Sequence, residues 1–420
     1  MLDLIINDVL GTPAILVGLF SLIGLLLQKK SFSEVISGTL KTIMGFLILT
    51  IGAGVISSTL STFSALFEHS FSIHGVVPNT DAMAALAQKD FGSQTATIMI
   101  CGMLINILLA RFTPLKYIFL TGHHTLYMAA MLAVVLSAGG ISHTMVIIVG
   151  SIILGAWMVL SPALLQPFTR KIIGNDELAL GHFGSIGYYC SAIVGKWVGK
   201  DSPSIEELNV PKSLNFLRDS SVSISLTMGI LFIVLAIIAG PEFTESQLSN
   251  GQNFIVFAIL QSIMFAAGVY TILAGVRMII AEIVPAFRGI ANKVVKDARP
   301  ALDCPTVFPF APNAVIVGFL SSFVAGLISM FICPLLGLSV IVPGLVPHFF
   351  CGATAGVYGN ATGGRRGAII GSFVHGIIIS FLPALLLPLM GNLGFESTTF
   401  GDADFGVIGI GLGHILTFFN

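Results

Sequence analysis

The chain alternates long apolar blocks with short clusters rich in charged residues, Gly, Pro and Asn. Eleven blocks stand out, near residues 4–27, 35–66, 94–110, 117–137, 144–166, 220–240, 254–275, 314–333, 336–359, 367–389 and 405–419. Most approach the ~20 residues that an α-helix needs to cross a hydrocarbon core of about 30 Å. None shows the strict apolar/polar alternation over about ten residues expected of a transmembrane β-strand. The pattern predicts an all-α polytopic membrane protein with about 11 transmembrane helices. The Gly- and Pro-rich run 340–364 fits either a span or a re-entrant hairpin, because irregular backbone inside a bilayer survives only where protein covers it.

Composition agrees. Of 420 residues, 55% are hydrophobic and 9% charged, against roughly 25% charged in soluble domains, so a soluble globular protein is excluded. The net charge of -1 and the absence of a basic tract leave nothing to grip a phosphate backbone, which argues against nucleic acid as a partner. Cys101, Cys190, Cys304, Cys333 and Cys351 are scattered without a CxxC pair, so neither a disulfide frame nor a metal set is indicated. The first apolar block lacks a basic n-region and a small-residue cleavage site, and reads as a retained span.

Cytoplasmic loops hold the Lys and Arg of a polytopic protein. With the N-terminus outside and the C-terminus inside, eleven spans place all but one of the 19 basic residues on the cytoplasmic side, Lys89 being the exception. The segment 173–218 mixes Glu206 and Glu207 with Leu208, Leu214 and Phe216, and is expected to lie along the membrane surface as an amphipathic linker. It would separate a first repeat, about 1–172, from a second, about 219–420, within one integral transport domain. Pro78-Asn79-Thr80-Asp81 and Pro300-Ala301-Leu302-Asp303 share the pattern P-x-x-D at an offset of 222, and Gly122 and Gly344 repeat that offset. One half would be inverted relative to the other, the architecture of many transporters that bind substrate where the repeats meet.

Polar groups within apolar blocks mark candidate sites. Three places qualify: Thr121-Gly122-His123-His124, Gly181-His182-Phe183-Gly184, and Asp303-Cys304-Pro305 leading to Pro312-Asn313. Neutral imidazole offers one donor and one acceptor, and an ionised Asp only accepts. Together they suit a ligand bearing several hydroxyls. The competing readings are packing histidines at His123 and His182 and a helix N-cap at Asp303. His124, His143, His348, His375 and His414 read as structural. No catalytic nucleophile, cofactor motif or phosphate-binding loop is present. Arg365 and Arg366, after Gly363-Gly364, read as a cytoplasmic turn or as a dock for a phosphorylated partner.

Several stretches resemble the membrane component (EIIC) of the ascorbate-type bacterial phosphotransferase system: Thr39 to Phe46, Phe119 to His123, Gly275-Val276-Arg277-Met278, Ala301 to Cys304 through Phe310 to Val315, and Val342-Pro343-Gly344. The resemblance implies a homodimeric multi-pass transporter of the bacterial inner membrane, with a scaffold and a substrate-carrying core. It implies L-ascorbate, or a related sugar acid or polyol, as substrate, and phosphorylation of the sugar by a separate cytoplasmic B component. Sugar-contacting positions carried over are Thr80, His123, His182 and Asp303. Asn79 stands where Asp is usual, and Asp81 where Tyr is usual. Tyr127 and Phe183 each replace a Gln, and these departures bear on the substrate. The competing functions are a proton- or sodium-coupled secondary transporter using Asp303, and a membrane enzyme using His123 and Asp303 as acid and base. No nucleophile accompanies that pair.

Overall fold

The computed structural model describes residues 12–71, 75–207, 220–391 and 398–419. Twelve helices carry the described fold: α1 (Pro13–Leu27), α2 (Phe32–Phe71), α3 (Thr80–Phe112), α4 (Gly122–Ala138), α5 (His143–Ile173), α6 (Ser185–Val198), α7 (Ser220–Ala239), the short α8 (Pro241–Phe243), α9 (Phe254–Lys293), α10 (Pro312–Leu335), α11 (Leu345–Leu386) and α12 (Ala403–Phe419). Among the described residues, six helices are long and apolar enough to cross a membrane, or seven if the bent pair Ile224–Ala239 and Pro241–Leu248 forms one span. Their outward faces are apolar: Ile51, Leu104, Ile152, Ile230 and Phe331 are each more than half exposed. Such surfaces belong in lipid. The chain is therefore an all-α multi-pass membrane protein.

The number of long helices differs from the eleven apolar blocks for local reasons. α1, α4 and α12 have 15, 17 and 17 residues and are apolar but shorter than the six long helices. α11, with 42 residues, is broken at Gly363 and Gly364. Gly364 has φ +54 and lies so close to Ser202 and Pro203 that a Cβ would collide with their carbonyls. Only Gly meets both conditions. The arms 345–362 and 365–386 fold back on each other, and a Cβ on Gly359 would sit 2.3 Å from the Gly367 carbonyl oxygen.

Helix starts follow from local chemistry. Ser31 and Glu34 form a reciprocal capping box ahead of α2: Glu34 N–H donates to Ser31 Oγ, and Ser31 N–H donates to Glu34 Oε2. The Asn79 side chain accepts from Ala82 N–H at the start of α3. α10 is capped from a distance, because Asn313 and Ala314 N–H donate to the Glu206 carboxylate. Burial pushes the Glu206 carboxyl above its usual range, against the pull of those two N–H groups. Glu206 belongs to the segment 173–218. The apolar residues 208–217 that suggested an amphipathic linker lie outside the described residues; in the described part β3 (Ala179–Leu180) is buried and α6 buries Tyr188 and Ala192 completely.

Short parallel strands join the two halves crosswise. β1 (Val77–Pro78) pairs with β5 (Thr398–Thr399), and Val76 bridges to Ile341. β4 (Arg299–Leu302) lies between β2 (Tyr117–Phe119) and β3. Thus the strand after α2 pairs with segments from the second half, and the strand after α9 pairs with segments from the first. Mutual pairing lets extended backbone exist inside an apolar bundle. Buried Asn106 finishes one edge, donating to Tyr117 O and accepting from Phe119 N–H. α4 follows β2 and is enclosed on all sides: Met128 to Leu136 are each at most 1% exposed.

Candidate functional site

The ends of β2, β4 and β3 deliver three polar side chains to one place. Asp303 follows β4, His123 stands in the first turn of α4 just beyond β2, and His182 lies just after β3. Thr121 Oγ donates to Gly181 O at 2.5 Å, tying two of these strand ends together. His123 Nε2 lies 3.3 Å from Asp303 Oδ2, and His182 Nε2 lies 3.8 Å from Asp303 Oδ1. Asp303 also accepts from Cys304 N–H at 2.7 Å. The capping reading of Asp303 thus holds for one oxygen, while the other faces His123.

His182 has a defined tautomer. Gly184 N–H, which can only donate, points at His182 Nδ1 from 3.0 Å, and the Tyr188 hydroxyl lies 2.9 Å from the same nitrogen. Nδ1 is therefore an acceptor and Nε2 carries the proton toward Asp303. Asp303 and Thr121 stand in the wall of a small open cavity. Its opposite wall is apolar, from Val17 of α1, Phe46 and Leu49 of α2 and Ile279 of α9. The cavity opens between the α1–α2–α9 group and the strand ends.

The other expected positions are dispersed around this centre. The Tyr127 ring lies 5.7 Å from those of His123 and His124, beside the cluster. Phe183 is fully buried and stacks on Phe119 at 4.7 Å, so it supports the cluster from behind. Thr80 lies at the other strand pairing, where its Oγ accepts from Gly401 N–H. The side chain of Asp81 lies outside the described residues.

Four residues outside the expected contact set join the cluster, among them His124, which the sequence suggested was structural. The His124 ring centroid is 3.8 Å from that of His182, and its Nδ1 is 3.9 Å from Asp402 Oδ2. The Cys351 thiol donates to Asp402 Oδ1, and Tyr188 holds His182. Asp402 was legible in principle. Gly401-Asp402-Ala403-Asp404 places carboxylates directly before an apolar block, as at Asp303.

Three groups bring metal-ligand atoms within 4.8 Å of one another: His123–His124–Asp303, His124–His182–Asp402 and His182–Asp303–Cys304. The two containing His182 fit a metal poorly, because one of its nitrogens accepts from Gly184 and the other bears the proton. A cluster with imidazole donors and carboxylate acceptors suits hydroxyl groups better.

Residues 8–404 match the family model described as the PTS system sugar-specific permease component, EIIC-GAT. The chain belongs to this family. It is also 29% identical over 436 aligned positions to the "Ascorbate-specific PTS system EIIC component" of Mycoplasma pneumoniae (strain ATCC 29342 / M129 / Subtype 1), an alignment covering 90% of this chain and 66% of that relative. The chain thus spans about two thirds of the relative's length. Binding a sugar calls for hydrogen-bonding groups. The Asp303 cluster supplies such groups, and they stand beside a cavity.

Proposed function

We propose that the chain carries L-ascorbate, or a related sugar acid or polyol, inward across the bacterial cytoplasmic membrane for phosphorylation by a separate cytoplasmic B component. The observation that carries this reading is the convergence of His123, His182 and Asp303 at the end of one strand mesh, with Asp303 in a cavity wall. Thr80, Asp81 and Tyr127 extend the contact set, and Phe183 backs it. The name of the Mycoplasma relative supports ascorbate as the substrate.

Within this reading α1, α2, α7 and α9 are the scaffold and the remaining helices the core, in a homodimer surrounded by lipid. Each protomer has eleven spans in two inverted repeats, with the N-terminus outside. Support for the repeats comes from α2 and α9, both of 40 residues and beginning at Phe32 and Phe254, and from the crosswise strand pairing. The placement of basic residues supports the orientation. A membrane-impermeant thiol reagent applied to intact cells should label Ser246→Cys and spare Lys200→Cys, both exposed positions. Labelling of the Lys200 position alone reverses the orientation.

Transport tests the function. Proteoliposomes holding the purified chain should form labelled ascorbate phosphate inside only when the B component and its phosphoryl donors are enclosed. Accumulation of unmodified ascorbate driven by a proton or sodium gradient alone would establish the secondary-transporter reading instead.

A further inference from the structure

We propose that His124 and Asp402 form a second hydroxyl-binding pair, which holds one hydroxyl of the substrate beyond the Asp303 centre and so sets specificity. This rests on the reading of the chain as a carrier of a polyhydroxylated sugar acid or polyol. His124 is 5% exposed, and its buried Nδ1 has no hydrogen-bond partner within the protein. A buried nitrogen without a partner is destabilising and calls for a ligand atom. The group facing it is Asp402 Oδ2, at 3.9 Å. That separation is too long for a direct hydrogen bond, yet one oxygen between the two can lie about 2.8 Å from each.

The chemistry of the pair selects a hydroxyl. Asp402 Oδ1 already accepts from the Cys351 thiol, and Oδ2 is the oxygen turned toward His124. A hydroxyl has one proton and two lone pairs. It can donate to the carboxylate and accept from an imidazole N–H, so a single oxygen can bridge the two and give His124 Nδ1 its partner. His124, His182 and Asp402 each offer an atom within 4.8 Å of the other two, so the gap adjoins His182 as well.

Position relative to the first centre points to the substrate. The His124 and His182 rings are 3.8 Å apart, and His182 faces Asp303. Asp303 and Asp402 therefore end one unbroken row of polar groups. Thr80 lies at the Asp402 end, bonded to Gly401 N–H. A ligand with hydroxyls on successive carbons can engage both ends. The same oxygen position could be filled by an ordered water, which the experiment below distinguishes.

Binding of L-ascorbate and of its 5-deoxy and 6-deoxy analogues is to be measured on the purified full chain and on His124→Gln, Asp402→Asn and Asp402→Ala, each first shown to be monodisperse. The wild type should lose roughly fivefold to 150-fold in affinity for one of the two deoxy analogues, the equivalent of about 1–3 kcal/mol. Each variant should lose a similar factor for ascorbate itself and no longer discriminate against that analogue. If Asp402→Ala does not fold, His124→Gln and Asp402→Asn carry the same comparison. Variants that keep wild-type affinity overturn the assignment. So do variants that bind weakly yet discriminate as the wild type does, because the gap then holds water or serves packing alone. A wild type that binds none of the three ligands refutes the functional reading and this assignment with it, whereas normal wild-type binding with unaffected variants refutes the assignment alone.

Discussion

Asp303 and Asp404 both stand where an extended segment gives way to a helix in an apolar part of the chain, and their surroundings differ in kind. Asp404 is fully buried and accepts from Ser185 Oγ at 2.6 Å, Trp157 Nε1 at 2.9 Å and Ile186 N–H at 2.8 Å. Every bond runs to another element, so this carboxylate fastens α12 to α5 and to the N-terminus of α6, where the helix dipole favours a negative charge. Asp303 accepts from the N–H of its own neighbour Cys304, and its other oxygen meets His123 beside a cavity. A carboxylate enclosed by fixed donors from other elements builds the fold. One that leaves an oxygen at a cavity edge is available to a ligand.

The largest expected effect tests the structural half of this contrast. Asp404→Ala leaves three donors buried without an acceptor, at about 1–3 kcal/mol each and not additively, so a loss of about 3 kcal/mol or more is expected. It should appear as a marked fall in the thermal midpoint of the purified protein. Asp404→Asn should fail to rescue, because its amide group turns a donor against donors. At Asp303 alanine should lower the midpoint far less, by the ~1 kcal/mol of a lost cap. Equal destabilisation at the two positions would break the comparison.

The smallest effect concerns a third carboxylate, which caps α10. Since burial raises the Glu206 pKa in the folded protein, the folded state binds its proton more tightly than the unfolded chain does. The contribution of Glu206 to stability therefore falls as pH rises from about 4, near the free glutamate value, through the raised folded value. Glu206→Gln keeps an acceptor and has no such titration. Its thermal midpoint should gain on the wild type as pH rises across that window. A constant difference would show that burial of Glu206 carries no titration.

The sequence displayed some of this contrast and concealed the rest. Asp303 is conspicuous as a lone carboxylate followed by prolines, and His123 and His182 are marked by adjacent glycines. Asp402 and Asp404 carry a similar signature, but only tertiary partners separate a carboxylate at a cavity edge from an enclosed one. The apolar blocks of α2 and α4 look alike, yet Ile51 of α2 is exposed whereas Met128 to Leu136 are enclosed. Composition reports apolarity and not what surrounds it. The segment 173–218 reads as an amphipathic surface linker because it mixes acidic with apolar residues. Its described portion supplies His182 and the buried face of α6. The crosswise strand pairing left only a faint P-x-x-D echo, since strands of two to four residues are paired by their tertiary partners and not by a local pattern.

The central claim is that Asp303 binds substrate. Its most direct test is the affinity for L-ascorbate of purified wild type, Asp303→Asn and Asp303→Ala, all shown to be folded. Asn preserves shape and one acceptor while removing the charge, so affinity should fall in the order wild type, Asn, Ala, with the alanine loss roughly fivefold to 150-fold. Wild-type affinity in both variants would contradict the account and leave Asp303 as the cap of its own turn.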